Sequence, residues 1–167
     1  MESREELRLK EKHTFSDFLY WTLVLAVPLV AAAVAMFRAS VVWFIAYLIV
    51  GAGLVTVVMR VFCSHCPHYT TGGKTLRCMF FWGVPKLFRE RPGPLAWWEK
   101  ALTLTAAAVL LLLPVPGLLE QPALLTLYVL SLGVFLLSVR RHECVRCSYT
   151  HCPSNRVPPE ERSNVPS

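Results

Sequence analysis

The sequence predicts an all-α integral membrane protein in which four transmembrane helices form two tight hairpins, arranged as a pseudo-repeat, beneath a cysteine-rich cytoplasmic cap. Of its 167 residues, 54% are hydrophobic and only 17% are charged, whereas a soluble domain carries about 25% charged residues. Four stretches contain no charged residue, and each is about as long as a helix that crosses a ~30 Å hydrocarbon core. The pattern Arg-x-x-Cys-x-x-Cys also occurs twice, each time after such an apolar stretch.

These features divide the chain into six segments. Residues 1–17 form a charged cytoplasmic segment, and residues 18–59 form the first hairpin, with spans at Phe18–Phe37 and Ala39–Met59. A cytoplasmic loop at 60–100 carries cysteines and mixes aromatic with basic side chains, which is typical of a segment lying in the membrane interface. The remaining segments are the second hairpin at 101–139, with spans Ala101–Leu119 and Gln121–Val139, a second cysteine segment at 140–155 and a disordered tail at 156–167.

The basic residues predict the orientation. Sixteen of the seventeen Lys and Arg residues lie in the N-terminal, central and C-terminal segments, and only Arg38 lies in a connection on the other side. Positively charged loops face the cytoplasm, so we expect a multi-pass protein of a bacterial or archaeal inner membrane with both termini cytoplasmic. The net charge of +6 then reflects anchoring near anionic lipid. The expected partners are the lipid bilayer and a cytoplasmic or membrane protein, and not a nucleic acid.

The cysteine pairs repeat at an offset of 81 residues, with Cys63 and Cys66 in the first half and Cys144 and Cys147 in the second. A parallel repeat around an axis along the membrane normal would bring both pairs to one face. All six cysteines fall in the predicted cytoplasmic segments. Because the cytosol keeps thiols reduced, metal ligands or catalytic thiols are expected rather than a disulfide framework.

Two residues between cysteines aim both sulfurs at one ion, and two such pairs provide a tetrahedral zinc site or the corners of an iron–sulfur cluster. The four paired cysteines could form one site. Alternatively, each half could recruit its third cysteine and one histidine, from His65 or His68 and from His142 or His151. The predicted metal ligands are Cys63, Cys66, Cys78, Cys144, Cys147, Cys152, His68 and His151.

Two further patterns bear on the metal. Cys66 and Cys152 are each followed by proline, as in ferredoxin-type runs, and several spans with cytoplasmic Cys-Pro motifs resemble the layout of membrane polyferredoxins. The added ferredoxin domains of that group are not found in this sequence. Basic residues flank the pairs, and we expect them to lower the thiol pKa. The loop from Val61 to Arg89 has no carboxylate, which argues against Mg²⁺ or Ca²⁺.

Three functions are compatible with this pattern. The first is a membrane protein that binds zinc or an iron–sulfur cluster, as an electron-transfer or partner-docking subunit, with quinone as a further candidate cofactor. The second is a membrane thiol–disulfide or quinone oxidoreductase. The bacterial disulfide-forming quinone reductases and the vitamin K epoxide reductase family are the comparison, although their cysteines face an oxidising compartment. The third is a soft-metal transporter. The spans lack the acidic, histidine or cysteine side chains that would carry an ion across the membrane, which argues against this function.

Overall fold

The computed structural model describes residues 13–70, 73–91, 93–147 and 155–158, and these are mostly helical. The prediction of four helices able to cross a membrane is confirmed, at Phe15–Ala39, Val41–His65, Trp97–Leu119 and Pro122–Glu143. Few of their side chains are buried in the protein; Val42 is 75% exposed and Leu137 is 69% exposed. Apolar surface on this scale requires contact with hydrocarbon, so the chain is a multi-pass membrane protein.

The elements follow one another with short connections. In chain order they are α1 (Phe15–Ala39), α2 (Val41–Val61), a 3₁₀ turn (Cys63–His65), α3 (Pro67–Thr70), β1 (Thr75–Arg77), β2 (Trp82–Pro85), α4 (Trp97–Leu112), α5 (Val115–Leu119), α6 (Pro122–Ser138) and a π turn (Val139–Glu143). α4 ends just before Pro114, which has no N–H to continue the helical ladder, and the chain resumes as α5.

Helix α1 organises the bundle, because α2, α5 and α6 all pack on it, while α4 packs on α2. Ala32 and Ala35 of α1 are fully buried at this contact, and Gly117 of α5 lies against the same face. A Cβ on Gly117 would lie 3.1 Å from Met36 Sδ, so small residues permit the close approach of the helices. The packing places the start of α1 beside the ends of α2 and α6, and we call this end of the bundle the cysteine end.

The central loop folds over the cysteine end. β1 and β2 pair antiparallel with an irregular register, in which Thr75 faces Pro85 and Arg77 faces Trp82. Sequence analysis did not predict these strands, because three and four residues are too few to show an alternating pattern. The Trp82 ring lies 6.0 Å from that of Phe15, between ring centroids, so the hairpin docks on the first turn of α1.

The described residues 155–158, which come after the second cysteine pair, are also packed. Arg156 donates its backbone N–H to the carbonyl of Cys144 at 2.9 Å, and Val157 is only 1% exposed. The start of the predicted disordered tail therefore folds back on the second cysteine segment. The rest of that tail, residues 159–167, and residues 1–12 lie outside the described residues.

Candidate metal centre

A cavity of about 380 Å³ opens at the cysteine end, and all five cysteines that the structure describes line its wall. They come from the end of α2, from the central loop and from the segment after α6, so thiols of both halves meet there. We call this space the cysteine cavity. Besides the cysteines, its wall is formed by His13, Val58, Phe62, His68, Tyr69, Leu76, Met79, Phe80, Phe81, Thr103, Val139 and Glu143.

The first cysteine pair is held by a tight turn at the end of α2. The backbone N–H of Cys66 donates to the carbonyl of Cys63 at 3.0 Å, which closes the 3₁₀ turn. The buried hydroxyl of Ser64 donates to the carbonyl of Arg60 at 2.6 Å and satisfies a carbonyl that the ending helix leaves open. Both thiols of this pair therefore sit on a rigid continuation of the helix.

The third cysteine of the first half reaches the same cavity through the β-hairpin. Cys78 follows β1, and its backbone N–H donates to the carbonyl of Phe81 at 2.9 Å across the hairpin turn. Its side chain packs against the cluster formed by Trp21 of α1, Met79 and Phe135 of α6. The hairpin therefore carries Cys78 to the junction of the two halves.

The second cysteine pair follows the π turn that extends α6. The backbone N–H of Cys144 donates to the carbonyl of Val139 at 3.1 Å. The side-chain amide of Asn155 donates to the carbonyl of Cys147 at 3.0 Å, and Asn155 lies in the packed segment after the pair. The second cysteine pair is therefore held by a hydrogen bond to the helical turn before it and by a hydrogen bond from Asn155 after it.

Burial, and not the flanking cations, dominates the thiol electrostatics. Burial raises the pKa of the Cys66 thiol, and neighbouring Cys78 and Cys147 raise it further. Burial also raises the pKa of Cys78. The expectation that basic residues lower the thiol pKa is therefore wrong for these two cysteines.

Two of the arginines near the cysteines lie over aromatic rings. The guanidinium of Arg60 lies 5.9 Å from the centre of the Phe88 ring, and that of Arg77 lies 6.0 Å from the centre of the Trp82 ring. Both cations stack on aromatic side chains of the loop.

His65, which lies between the two cysteines of the first pair, has a structural role. Nδ1 of His65 donates to the carbonyl of Val61 at 2.9 Å, and Nε2 lies 3.7 Å from the carboxylate of Glu99 at the start of α4. Glu99 also accepts a 3.1 Å hydrogen bond from the Arg91 side chain. This buried network ties the first cysteine turn to α4.

Two functional candidates on the cavity wall were missed by sequence reasoning, His13 and Glu143. Nδ1 of His13 lies 3.8 Å from Oε2 of Glu143, and the His13 and His68 ring centroids are 4.7 Å apart. The indole N–H of Trp21 donates to Oε1 of Glu143 at 3.0 Å. The only sequence signal for Glu143 is its position beside Cys144, and His13 has none, since it is one histidine in a charged segment.

The predicted ligands are therefore brought together in part. Cys63, Cys66, Cys78, Cys144, Cys147 and His68 all line the cavity, whereas His151 and Cys152 lie outside the described residues. No disulfide joins any two of the five described cysteines. Within the described part of the chain, no three His, Cys, Asp or Glu side chains converge closely enough to hold one metal ion. The five thiols line the wall of one cavity, but no three of them converge on a single position.

A comparison of the chain with protein-family models, with curated proteins and with solved structures gives no match.

Proposed function

We propose that this membrane protein binds one soft-metal centre, zinc or an iron–sulfur cluster, through thiols that its two halves contribute jointly. The observation that carries the proposal is the meeting of Cys63 and Cys66 with Cys144 and Cys147 on the wall of one cavity. Zinc and iron–sulfur clusters both take four thiolates, and the two pairs supply that number.

The protonation of the thiols supports a metal in this place. Several thiols that raise one another's pKa in a buried space cannot all ionise without a compensating charge. A soft cation supplies this charge, and its binding displaces the thiol protons. Cys147 of the second half is among the thiols that raise the pKa of Cys66, so a cation shared by the two halves would offset repulsion between their thiolates.

The membrane context is part of the proposal. With the basic residues at the cysteine end on the cytoplasmic side, both termini are cytoplasmic and the two hairpins stand side by side under a cysteine-rich cap. The centre then lies where a cytoplasmic or membrane partner can exchange electrons with it, or can dock on the cap that it organises.

A second candidate, a thiol–quinone oxidoreductase, is favoured by the walls of the cavity. Phe62, Phe80 and Phe81 line it, and its volume of about 380 Å³ falls in the range of small-ligand sites. Disulfide exchange needs a thiolate as the attacking group, however, and burial disfavours the thiolate at Cys66 and Cys78. The metal centre is the first candidate because both Cys-x-x-Cys pairs, one from each half, lie on the wall of this cavity.

Metal analysis of the anaerobically purified full-length protein tests the proposal. We expect zinc, or iron with sulfide and visible absorption. Cys66→Ser and Cys144→Ser should each abolish the bound metal, because the two halves share one centre. His142→Ala is the matched control, since His142 is exposed beside the second pair and does not line the cavity.

Two results would decide against a shared centre. A wild-type protein that contains no zinc, iron or copper removes the metal function and favours the oxidoreductase. Loss of half the metal in each cysteine variant indicates two separate sites, one for each half.

A further inference from the structure

The cysteine cavity is much larger than a metal ion needs. Its volume of about 380 Å³ is more than ten times the ~30 Å³ that one water molecule occupies, and a metal ion takes no more space than a water molecule. A volume of this size falls in the range of sites for small organic ligands. A bound ion would therefore leave most of the cavity to another occupant.

Aromatic side chains form much of the cavity wall. Phe62 comes from the end of α2, and Phe80 and Phe81 come from the turn of the β-hairpin. Aromatic rings pack well against another flat ring, by offset stacking or by edge-to-face contact. The wall therefore suits a ligand that carries a planar ring.

The polar groups of the wall favour an uncharged ligand. Burial raises the pKa of the Cys66 and Cys78 thiols, so without a metal these thiols are neutral and can donate weak hydrogen bonds. Among the described residues of the wall, Glu143 is the only carboxylate, and it accepts the Trp21 indole N–H at 3.0 Å. A neutral ring with carbonyl acceptors matches these groups.

Part of the cavity lies among the membrane-spanning helices. Val58 of α2 and Thr103 of α4 contribute to its wall, and both belong to helices long and apolar enough to cross a membrane. The central loop covers the cavity from the other side with Leu76 and Met79. A ligand in this space would therefore lie at the edge of the hydrocarbon, beneath the cap.

The second hairpin leaves a gap beside this part of the cavity. α4 packs on α2 and α6 packs on α1, whereas α4 and α6, every residue of which is described, make hardly any contact with each other. They meet near their far ends, where the Tyr128 hydroxyl donates to the Leu111 carbonyl at 2.9 Å. At their cysteine ends, Thr103 and Val139 both lie in the cavity wall. The gap between the two helices thus joins the cavity to the bilayer.

We propose that the cysteine cavity binds the ring of a neutral, lipid-soluble compound of the quinone class, which enters from the bilayer between α4 and α6 and leaves its apolar tail in that gap. This inference goes beyond the proposed metal function and does not depend on it. It concerns binding alone. A thiol–quinone reaction would need this site, but the site does not need the reaction.

Photo-crosslinking tests the proposal on the full-length protein in phospholipid nanodiscs. The probe is an azidobenzoquinone with a decyl tail, and the competitors are decylubiquinone, which has a ring, and decanol, which has none. We expect adducts on peptides that line the cavity. Decylubiquinone should suppress them and decanol should not, because the ring and not the tail occupies the site.

Two variants narrow the cavity from opposite sides, Thr103→Phe from α4 and Val139→Phe from the end of α6. Each should lower the labelling by about tenfold, because extra side-chain volume in an occupied site disrupts its packing. Thr105→Phe is the matched control, since Thr105 lies on the same helix but is exposed and does not line the cavity. Its labelling should equal that of wild type.

A second probe, with a diazirine on the tail, tests the route of entry. Adducts of this probe on α4 and α6 support entry from the bilayer, and adducts confined to the central loop overturn it.

The remaining outcomes separate this site from the metal centre. Equal competition by decanol, or wild-type labelling of folded Thr103→Phe and Val139→Phe, overturns the ring site whatever the metal content. The competition on wild-type protein decides the matter even where a variant fails to fold. Specific labelling of a protein that contains no metal keeps this inference and rejects the metal function alone.

Discussion

Glu99 offers the sharpest test of how the first cysteine turn is held. Glu99 is only 2% exposed, and its carboxylate makes three contacts. It accepts the backbone N–H of Ala96 at 2.9 Å, which caps α4, and the Arg91 side chain at 3.1 Å, and it lies 3.7 Å from Nε2 of His65. The perturbations are Glu99→Gln, which keeps an acceptor oxygen, and Glu99→Leu, which keeps none.

The magnitude follows from these contacts. The helix cap contributes about 1 kcal/mol. The contact with Arg91 contributes less than about 1 kcal/mol, because that side chain is half exposed and screened. Because the site is buried, Glu99→Leu also leaves the polar groups that face the carboxylate without an acceptor, which costs about 1–3 kcal/mol. We therefore expect a loss of about 1–2 kcal/mol in the free energy of unfolding for Glu99→Gln and about 3–4 kcal/mol for Glu99→Leu.

Equilibrium unfolding in mixed micelles, followed by tryptophan fluorescence, measures these losses. Glu90→Gln is the matched control, because Glu90 is 43% exposed at its side chain and pairs only with Lys86 in the described ion pairs; its loss should stay below about 0.5–1 kcal/mol. If Glu99→Leu is no less stable than the Glu90→Gln control, the buried network does not hold the turn and the reasoning fails.

Two further predictions concern the loop and the thiols. Tyr69→Phe should lower the free energy of unfolding by about 1–3 kcal/mol, since the Tyr69 hydroxyl donates to the Phe88 carbonyl at 2.8 Å and accepts its N–H at 2.9 Å; the exposed Tyr20→Phe is the control, and equal stability of the two variants argues against the prediction. In reduced, metal-free protein, stability should fall as the pH rises from about 8 to about 10, because folded Cys66 and Cys78 keep protons that the unfolded thiols release. Unfolding measured across this range checks the sign, and a Cys66→Ser, Cys78→Ser double variant with the same pH slope as wild type would contradict it.

The pattern of charge and hydropathy along the sequence specifies the four helices of this protein. A helix that crosses a membrane is specified locally, because each residue of the span meets hydrocarbon and its backbone bonds within the same segment. The four helices are therefore visible in the sequence without any tertiary information. The third span shows the boundary of this reasoning: its apolar run continues through Pro114, but the structure divides it into α4 and α5.

The cysteine pairs were equally visible, since Cys63 and Cys66 stand at the same place in their half as Cys144 and Cys147 in theirs. The sequence did not indicate which side chains surround these cysteines. The strands that carry Cys78 are too short to leave a periodic signal, and the pKa of Cys66 depends on burial by residues distant in the chain. Flanking arginines suggested the opposite sign of that shift.

The membrane class, the four spans and the repeated thiols follow from composition and from spacing along a single helix or turn, so they can be predicted without a structure. The cavity that His13 and Glu143 share with those thiols, and the contact of Glu99 with the first cysteine turn, become evident only in the folded protein. These contacts join residues up to 130 positions apart, and they are set by the packing of α2 and α6 on α1, which no local preference encodes.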